Sequence, residues 1–138
     1  MSTITAPVTP RERAYSGLPN EDFFGYCRAI KVDDKRVIVS GCTALAGPDG
    51  VAPEHKGDMY AQCVEAFTRM KAVLEKFDLG FEHVVRTNCY LTDASQLGDV
   101  IKAHGEVFGQ IKPSNNTVGV SFLFHPDCLI EIDAEAYI

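Results

Sequence analysis

The sequence lacks a long apolar run, a cluster of basic residues and the layout of a secretory signal. Its 138 residues carry a formal net charge of −6 at pH 7, and a negative surface repels the phosphate backbone of nucleic acids. No apolar run approaches the ~20 residues of a membrane span. Residues 1–20 do not place a basic segment before an apolar one, as export signals do. We therefore expect no nucleic-acid partner, no membrane partner and a cytoplasmic location.

The sequence also lacks a cysteine pair with metal-ligand spacing. The five cysteines are scattered and odd in number: Cys27, Cys42, Cys63, Cys89 and Cys128. Without a Cys-x-x-Cys pair, a zinc site or a disulfide framework has little support. Cysteines at apolar positions are typical of small hydrophobic residues in a reducing compartment. We expect no metal, and the cysteines again favour the cytoplasm.

The length and composition fit one folded domain. Apolar residues make up 46% of the chain and charged residues 23%, which is ordinary for a globular protein. Residues 1–20 hold Pro7, Pro10 and Pro19 among polar neighbours, a pattern that predicts a loosely held arm. Residues 21–138 are predicted to form the single domain.

Apolar periodicity predicts the element order β-β-α-β-α-β-β. Apolar runs at 25–32 and 36–40 flank a polar turn and indicate a hairpin, and a Gly-Pro-Asp-Gly sequence marks a loop at 47–50. Steps of four and three residues from Cys63 to Phe77 are typical of one face of a long helix. A strand, a second helix and two more strands follow. This order favours an α+β fold in which both helices cover one face of a single mixed sheet.

The other face of that sheet is predicted to mix polar and apolar side chains. Two strands supply its polar groups: Arg86, Asn88 and Tyr90 on one, and Glu131, Asp133 and Glu135 on the other. Such a face is too polar to form a hydrophobic core, yet it is too apolar to be exposed to solvent. We expect other copies of the chain to cover it, with polar clefts at the seams of a homo-oligomer.

Glu131 is the candidate catalytic residue on that face. Its strand alternates apolar and acidic residues, so three carboxylates share one side, where they raise one another's pKa. Either this side is simply solvated, or Glu131 faces a polar cleft and handles protons or water. A divalent cation held by the three acids is the weaker interpretation, because loops with mixed carbonyls are the usual ligands.

Several short motifs in order resemble the RidA (YjgF) superfamily, formerly called endoribonuclease L-PSP. They are Val39-Ser40-Gly41, the run from Val84 to Asp93, His104-Gly105-Glu106-Val107-Phe108, Pro113 before a strand, and Ile130-Glu131-Ile132-Asp133-Ala134. The resemblance implies a chorismate-mutase-like (YjgF-like) α+β fold and a homotrimer with ligand clefts between subunits. Members of the best-known branch hydrolyse enamines and imines derived from amino acids, without a cofactor.

Carried over position by position, the resemblance assigns the water-positioning glutamate to Glu131 and a cleft-lining aromatic to Tyr26. The serine and glycine that end the second strand fall on Ser40 and Gly41, with Cys42 after them. Cys42 is interpreted as a passive thiol in the cleft, because no neighbouring histidine or lysine in the sequence would activate it as a nucleophile.

The chain departs from the hydrolytic branch at the arginine that binds the substrate carboxylate. Asn115 occupies that position, and Ile101 replaces a cleft asparagine. An amide cannot form the charged two-bond fork of an arginine, so simple imino acids are doubtful substrates. Arg86 would supply a replacement cation, unless it forms a salt bridge with Glu131 or Glu135. The predicted substrate-binding set is Tyr26, Gly41, Cys42, Arg86, Asn88, Asn115, Asn116 and Thr117.

The resemblance and the residues together predict hydrolysis, that is deamination, of an enamine, imine or related C–N compound in an intersubunit cleft. The substrate would be a small molecule larger or less acidic than the simple imino acids. Two alternatives stay open: a binding or regulatory protein without catalysis, and a pathway enzyme of different chemistry on the same fold. An RNase interpretation finds no support in the charge or in a suitable histidine pair.

Overall fold

The computed structural model describes residues 4–45 and 53–138, so the loop predicted at 47–50 lies outside the described residues. This part of the chain forms six strands and three helices: β1 (Arg13–Ala14), α1 (Pro19–Phe24), β2 (Ala29–Val32), β3 (Arg36–Cys42), α2 (Met59–Glu75), β4 (Val84–Leu91), α3 (Leu97–Phe108), β5 (Ser114–Gly119) and β6 (Ile130–Tyr137). Short 3-10 turns at Phe81–His83 and Ala94–Gln96 precede β4 and α3.

The strands form one mixed sheet in the order β1-β2-β3-β6-β4-β5. All neighbouring strands are antiparallel except β4 and β5, which run parallel. The predicted α+β fold with a single mixed sheet is confirmed. Within the described ranges, none of the helices has the length and apolar content that crossing a membrane requires.

The core lies between the sheet and the two long helices. The predicted helix stripe is buried throughout, as are the alternate apolar residues of β6: Cys63, Phe67, Met70, Leu74, Phe77, Ile130, Ile132, Ala134 and Ala136. Asp58 caps α2 by accepting a hydrogen bond from the backbone N–H of Ala61 at 3.0 Å, which satisfies one of the donors left free at a helix start. The periodicity of two and of 3.6 residues thus fixed which side of each element faces inward.

A third helix, α1, was not predicted from the sequence. It has six residues, with Pro19 in its first turn and Gly25 in the left-handed conformation at its end. Both residues are known start and stop signals, but a helix this short shows no apolar period. Its Glu21 is 3% exposed and accepts hydrogen bonds from the backbone N–H and the hydroxyl of Ser16.

The segment predicted as an N-terminal arm contributes an edge strand to the sheet. Arg13 pairs with Ile30 and Ala14 with Ala29, and Ala14 is buried. The chain is therefore attached to the sheet from residue 13 onward. Two predictions stay untested: that the residues before Arg13 form a loosely held arm, and that the domain boundary lies at residue 20.

Candidate functional site

A cavity of about 750 Å³ opens between the sheet, α2 and the segment that leads into α1. Four of the predicted site residues line it: Tyr26, Gly41, Cys42 and Glu131. The others belong to β4 and β5 and do not line this cavity: Arg86, Asn88, Asn115, Asn116 and Thr117. One chain therefore brings together about half of the predicted set.

Glu131 reaches the cavity beside an irregular part of β3. The regular pairing of β3 with β6 stops at Val39 and resumes at Cys42, which leaves Ser40 and Gly41 in a bulge. A Cβ atom on Gly41 would lie 2.6 Å from Cδ and 2.7 Å from Oε2 of Glu131. Only a residue without a side chain lets the carboxylate approach the β3 backbone this closely.

The surroundings of Glu131 favour its protonated form. Burial raises the pKa of the Glu131 carboxyl, nearby Arg28 lowers it by a smaller amount, and the charge on Asp133 raises it. A carboxylate that is half-buried and more basic than usual is suited to accept a proton from water near neutral pH.

Residues from α1 and from the segment that joins it to β2 form the wall next to Glu131. The hydroxyl of Tyr26 accepts a hydrogen bond from Asn20 Nδ2 at 2.8 Å. The guanidinium carbon of Arg28 lies 5.3 Å from the centre of the Tyr26 ring, within the range of a cation–π contact. Asn20 and Arg28 were not predicted as site residues. Arg28 is the one charged residue in the segment Cys27–Ile30, and a single charge in an apolar segment was an available signal of a functional role.

Cys42 lines the cavity as an unreactive thiol. It is 1% exposed, and burial raises its pKa to about 11. Its Sγ lies 3.4 Å from the carbonyl oxygen of Ser40. A thiol that stays protonated near neutral pH is a poor nucleophile, and the passive role of Cys42 stays a prediction.

Arg86 and Asn88 lie on the sheet face away from the core. Asn88 Nδ2 donates to Oδ1 of Asp133 at 2.7 Å. Arg86 is exposed and stands opposite Glu135 in the β4–β6 register, but Glu135 forms its ion pair with Arg36 at 2.9 Å. Among residues 4–45 and 53–138, no ion pair involves Arg86.

Asn115 and Thr117 belong to a hydrogen-bond chain on the edge strand β5. The Thr117 hydroxyl donates to Asn115 Oδ1 at 2.9 Å, and Asn115 Nδ2 donates to the hydroxyl oxygen of Thr87 at 3.0 Å. That hydroxyl lies 2.8 Å from Nε2 of His104, whose pKa is lowered by burial. Since β4 separates β5 from β6, Asn115, Asn116 and Thr117 lie away from the cavity of their own chain.

One group of potential metal ligands lies outside the cavity. Ligand atoms of Glu54, His55 and Glu65 fall within 4.8 Å of one another. Glu54 and His55 are exposed, and Glu65 already pairs with Arg69 at 3.0 Å. Exposed acidic groups of this kind are ordinary surface features, and we assign no metal site to them.

The chain is similar in sequence and in fold to known proteins. Residues 21–138 match the family model described as endoribonuclease L-PSP. A protein of Streptomyces coelicolor is 36% identical over 125 residues, which cover 91% of this chain and 90% of that protein. A RutC family protein of Pyrococcus abyssi is 33% identical over 112 residues, covering 81% and 85%. A crystal structure from Mycobacterium tuberculosis, titled as a member of the YjgF/YER057c/UK114 family, has a TM-score of 0.82 and 33% identity, covering 94% of this chain and 100% of that one.

Proposed function

Because the chain belongs to the endoribonuclease L-PSP family, the RidA/YjgF superfamily, we propose that it hydrolyses an enamine, imine or related C–N compound. The reaction takes place in the cytoplasm, in a cleft between subunits of a homotrimer. The observation that carries the proposal is the half-buried Glu131 carboxylate, held against Gly41 inside a cavity of about 750 Å³. The substrate differs from the simple imino acids, because Asn115 stands where the hydrolytic branch has its arginine.

In the proposed reaction, Glu131 accepts a proton from water as the water oxygen attacks the carbon of the C=N bond. A substrate that is an enamine is first converted to the imine by gaining a proton on carbon and losing one from nitrogen. After the attack, Glu131 returns its proton to the nitrogen, which gives the neutral carbinolamine. A second proton then passes from the carbinolamine hydroxyl to the nitrogen, the C–N bond breaks as the C=O bond forms, and ammonia and a carbonyl compound leave. Backbone N–H groups near Gly41 and Cys42 are the candidate donors to negative charge that develops in the cavity.

The trimer is proposed from surfaces that one chain leaves uncovered. Ile38 and Val118 are 39% and 47% exposed on β3 and β5, and Phe122 is 81% exposed after β5. In the proposed trimer these apolar side chains are covered by neighbouring copies of the chain. A neighbouring copy that placed its β5 against the cavity would add the amide of its Asn116 to the cleft.

The first experiment measures ammonia release from imines that an amino-acid oxidase generates in the assay. A panel of amino acids with small, long and aromatic side chains covers the range of cleft sizes. We expect the purified protein to accelerate ammonia release above the spontaneous rate for at least one large side chain, and less for alanine. Light scattering on the same sample should give the mass of three chains.

Heat-inactivated protein at the same concentration serves as the control for metal contamination and nonspecific catalysis. A spontaneous rate that is unchanged across the whole panel would contradict the hydrolase proposal. A mass of one chain would contradict the intersubunit cleft.

Gly41→Ala is expected to lower the turnover rate at least about tenfold while the fold is retained. The new Cβ would overlap the end of a flexible side chain, so Glu131 must move out of its position beside β3. A displacement of this size in a positioned acid–base group commonly costs a factor of ten or more. Gly98→Ala is the matched control, since a Cβ there meets nothing within 4 Å. Equal activity of the two variants would show that the Gly41–Glu131 contact is irrelevant to turnover.

A second candidate function is binding without catalysis. It is favoured by the amide of Asn115, which is engaged with Thr87 rather than directed to a ligand. Recovery of a small molecule chemically intact at one per cavity after incubation would support this alternative.

A further inference from the structure

Arg28 is a buried cation for which the described chain supplies no acceptor. The residue is 8% exposed and lines the cavity. Its Nε is buried without a hydrogen-bond partner. Within residues 4–45 and 53–138, no carboxylate lies within ion-pair distance of its guanidinium. Burial of an unpaired charge is costly, so this position calls for an anion.

The other two cations of the cavity are already engaged. Arg69 pairs with Glu65 at 3.0 Å, and Lys76 donates to the backbone oxygen of Tyr15 at 2.5 Å. Arg28 instead lies against the Tyr26 ring, which holds the guanidinium plane without using its hydrogen-bond donors. Of these three cations, Arg28 is the one whose side chain makes no hydrogen bond or ion pair within the described residues.

Asn20 provides a second group without a partner in the same wall. Its Nδ2 bonds to Tyr26, while its Oδ1 is buried and accepts no hydrogen bond from the described residues. Buried polar atoms in folded proteins nearly always have a partner. Tyr26 is therefore held between Asn20, which donates to its hydroxyl, and the guanidinium of Arg28, which lies against its ring.

We propose that Arg28 binds an anionic group of the substrate, a carboxylate. The inference rests on the proposed function, because it names the substrate class for that cavity. It places the charged anchor directly before β2 of the chain that carries Glu131, rather than at Asn115 on β5. Arg86, predicted as the replacement cation, does not line the cavity.

Binding of an anion to Arg28 would also affect the catalytic carboxylate of Glu131. Arg28 lies near enough to Glu131 to lower the pKa of that carboxyl. An anion bound to Arg28 neutralises this effect, so Glu131 becomes more basic when substrate is present. The competing explanation is that Arg28 serves only as a counter-charge for Glu131, and this explanation predicts no preference for anionic ligands.

The test is a binding measurement that needs no turnover. Isothermal titration compares pyruvate, 2-oxobutanoate and 2-oxohexanoate, which are product-like 2-oxo acids, with their methyl esters, which lack the charge. We expect at least one acid to bind roughly ten- to hundred-fold more tightly than its ester, as charge-assisted hydrogen bonds to a guanidinium allow. Arg28→Gln is expected to remove this preference, and Arg28→Lys to keep part of it, because a point charge replaces the fork.

Arg69→Gln removes the same charge from the same cavity and is expected to keep most of the preference. Circular dichroism identifies any variant that has not folded, and Arg28→Lys then carries the comparison. Equal affinity of acid and ester for the unaltered protein, or an equal loss in Arg28→Gln and Arg69→Gln, would overturn the proposal. If ammonia release is absent but the preference is present, the hydrolase proposal fails and the anion site stands.

Discussion

Glu131→Gln is expected to lower the rate of imine hydrolysis by roughly 10²–10⁴-fold, the contribution of a positioned acid–base group. Glutamine keeps the size of the side chain and its place beside Gly41, but its amide cannot take a proton from water. Initial rates of ammonia release with the best substrate of the panel measure the effect. Binding of 2-oxo acids should change far less than the rate, since Arg28 is intact.

The pH dependence of the hydrolysis rate provides a second test of the role of Glu131. The folded-state pKa of Glu131 lies above the ordinary value of 4.5, so the rate should fall on acidification at a higher pH than for a solvated glutamate. Activity that survives in Glu131→Gln should lack this acid limb. A pH–rate profile of kcat from acidic to neutral pH measures both.

The thermal stability of the Glu131→Gln variant separates a chemical role of Glu131 from a structural one. Because folding raises the pKa of Glu131, its contribution to stability is present at low pH and is lost as the pH rises through the folded-state value. At neutral pH the glutamine variant should therefore unfold at the same temperature as the parent or a higher one. Glu135→Gln on the same strand is the control, since Glu135 pairs with Arg36 and does not line the cavity. Unchanged turnover in Glu131→Gln would remove this residue from the mechanism.

Gln62→Leu is expected to lower the free energy of unfolding by about 2–4 kcal/mol, because the backbone oxygen of Asp127 and the N–H of Leu129 lose their hydrogen-bond partner, and each buried polar group left without one costs about 1–3 kcal/mol. Gln62 is 0% exposed. Its amide donates to the backbone oxygens of His55 and Asp127 at 3.2 and 3.0 Å and accepts from the backbone N–H of Leu129 at 2.9 Å. Leucine has a similar volume, so the effect isolates the hydrogen bonds. The loss would be a large share of the ~5–15 kcal/mol that stabilises most domains.

Urea titration of Gln62→Leu and of Gln110→Leu measures this difference. Gln110 is exposed after α3, and surface changes of this kind usually stay within about 0.5 kcal/mol. Since Gln62 holds the segment that leads into β6, we also expect reduced turnover through a less ordered Glu131. Similar midpoints for the two variants would show that the Gln62 bonds contribute little.

The inward-facing residues could be predicted because they follow from local periodicity. Apolar residues of β6 alternate with acids, and this alone directed Ile130 and Ile132 to the core and left Glu131 on the other side. The stripe from Cys63 to Phe77 determined the α2 face in the same way. These patterns need no knowledge of distant parts of the chain.

The cavity wall could be predicted only in part, since its members meet through long-range packing. Asn20 lies in α1, Arg28 directly before β2 and Glu131 in β6, and no spacing in the sequence links them. Asn115 was correctly placed on a late strand, but its bond to Thr87 depends on the parallel pairing of β4 and β5. The role of each group in the cleft therefore rests on tertiary geometry that a single sequence does not carry.

The edge strand β5 has a consequence for handling the protein. Its six residues, Ser114–Gly119, are all exposed in a single chain, and none is charged. Natural sheet edges are usually guarded by charges, bulges or proline within the strand, because open backbone groups invite pairing with other chains. Protomers separated from the proposed trimer should consequently precipitate more readily than the trimer, and colloidal stability should decline when dilution separates them, before any heating.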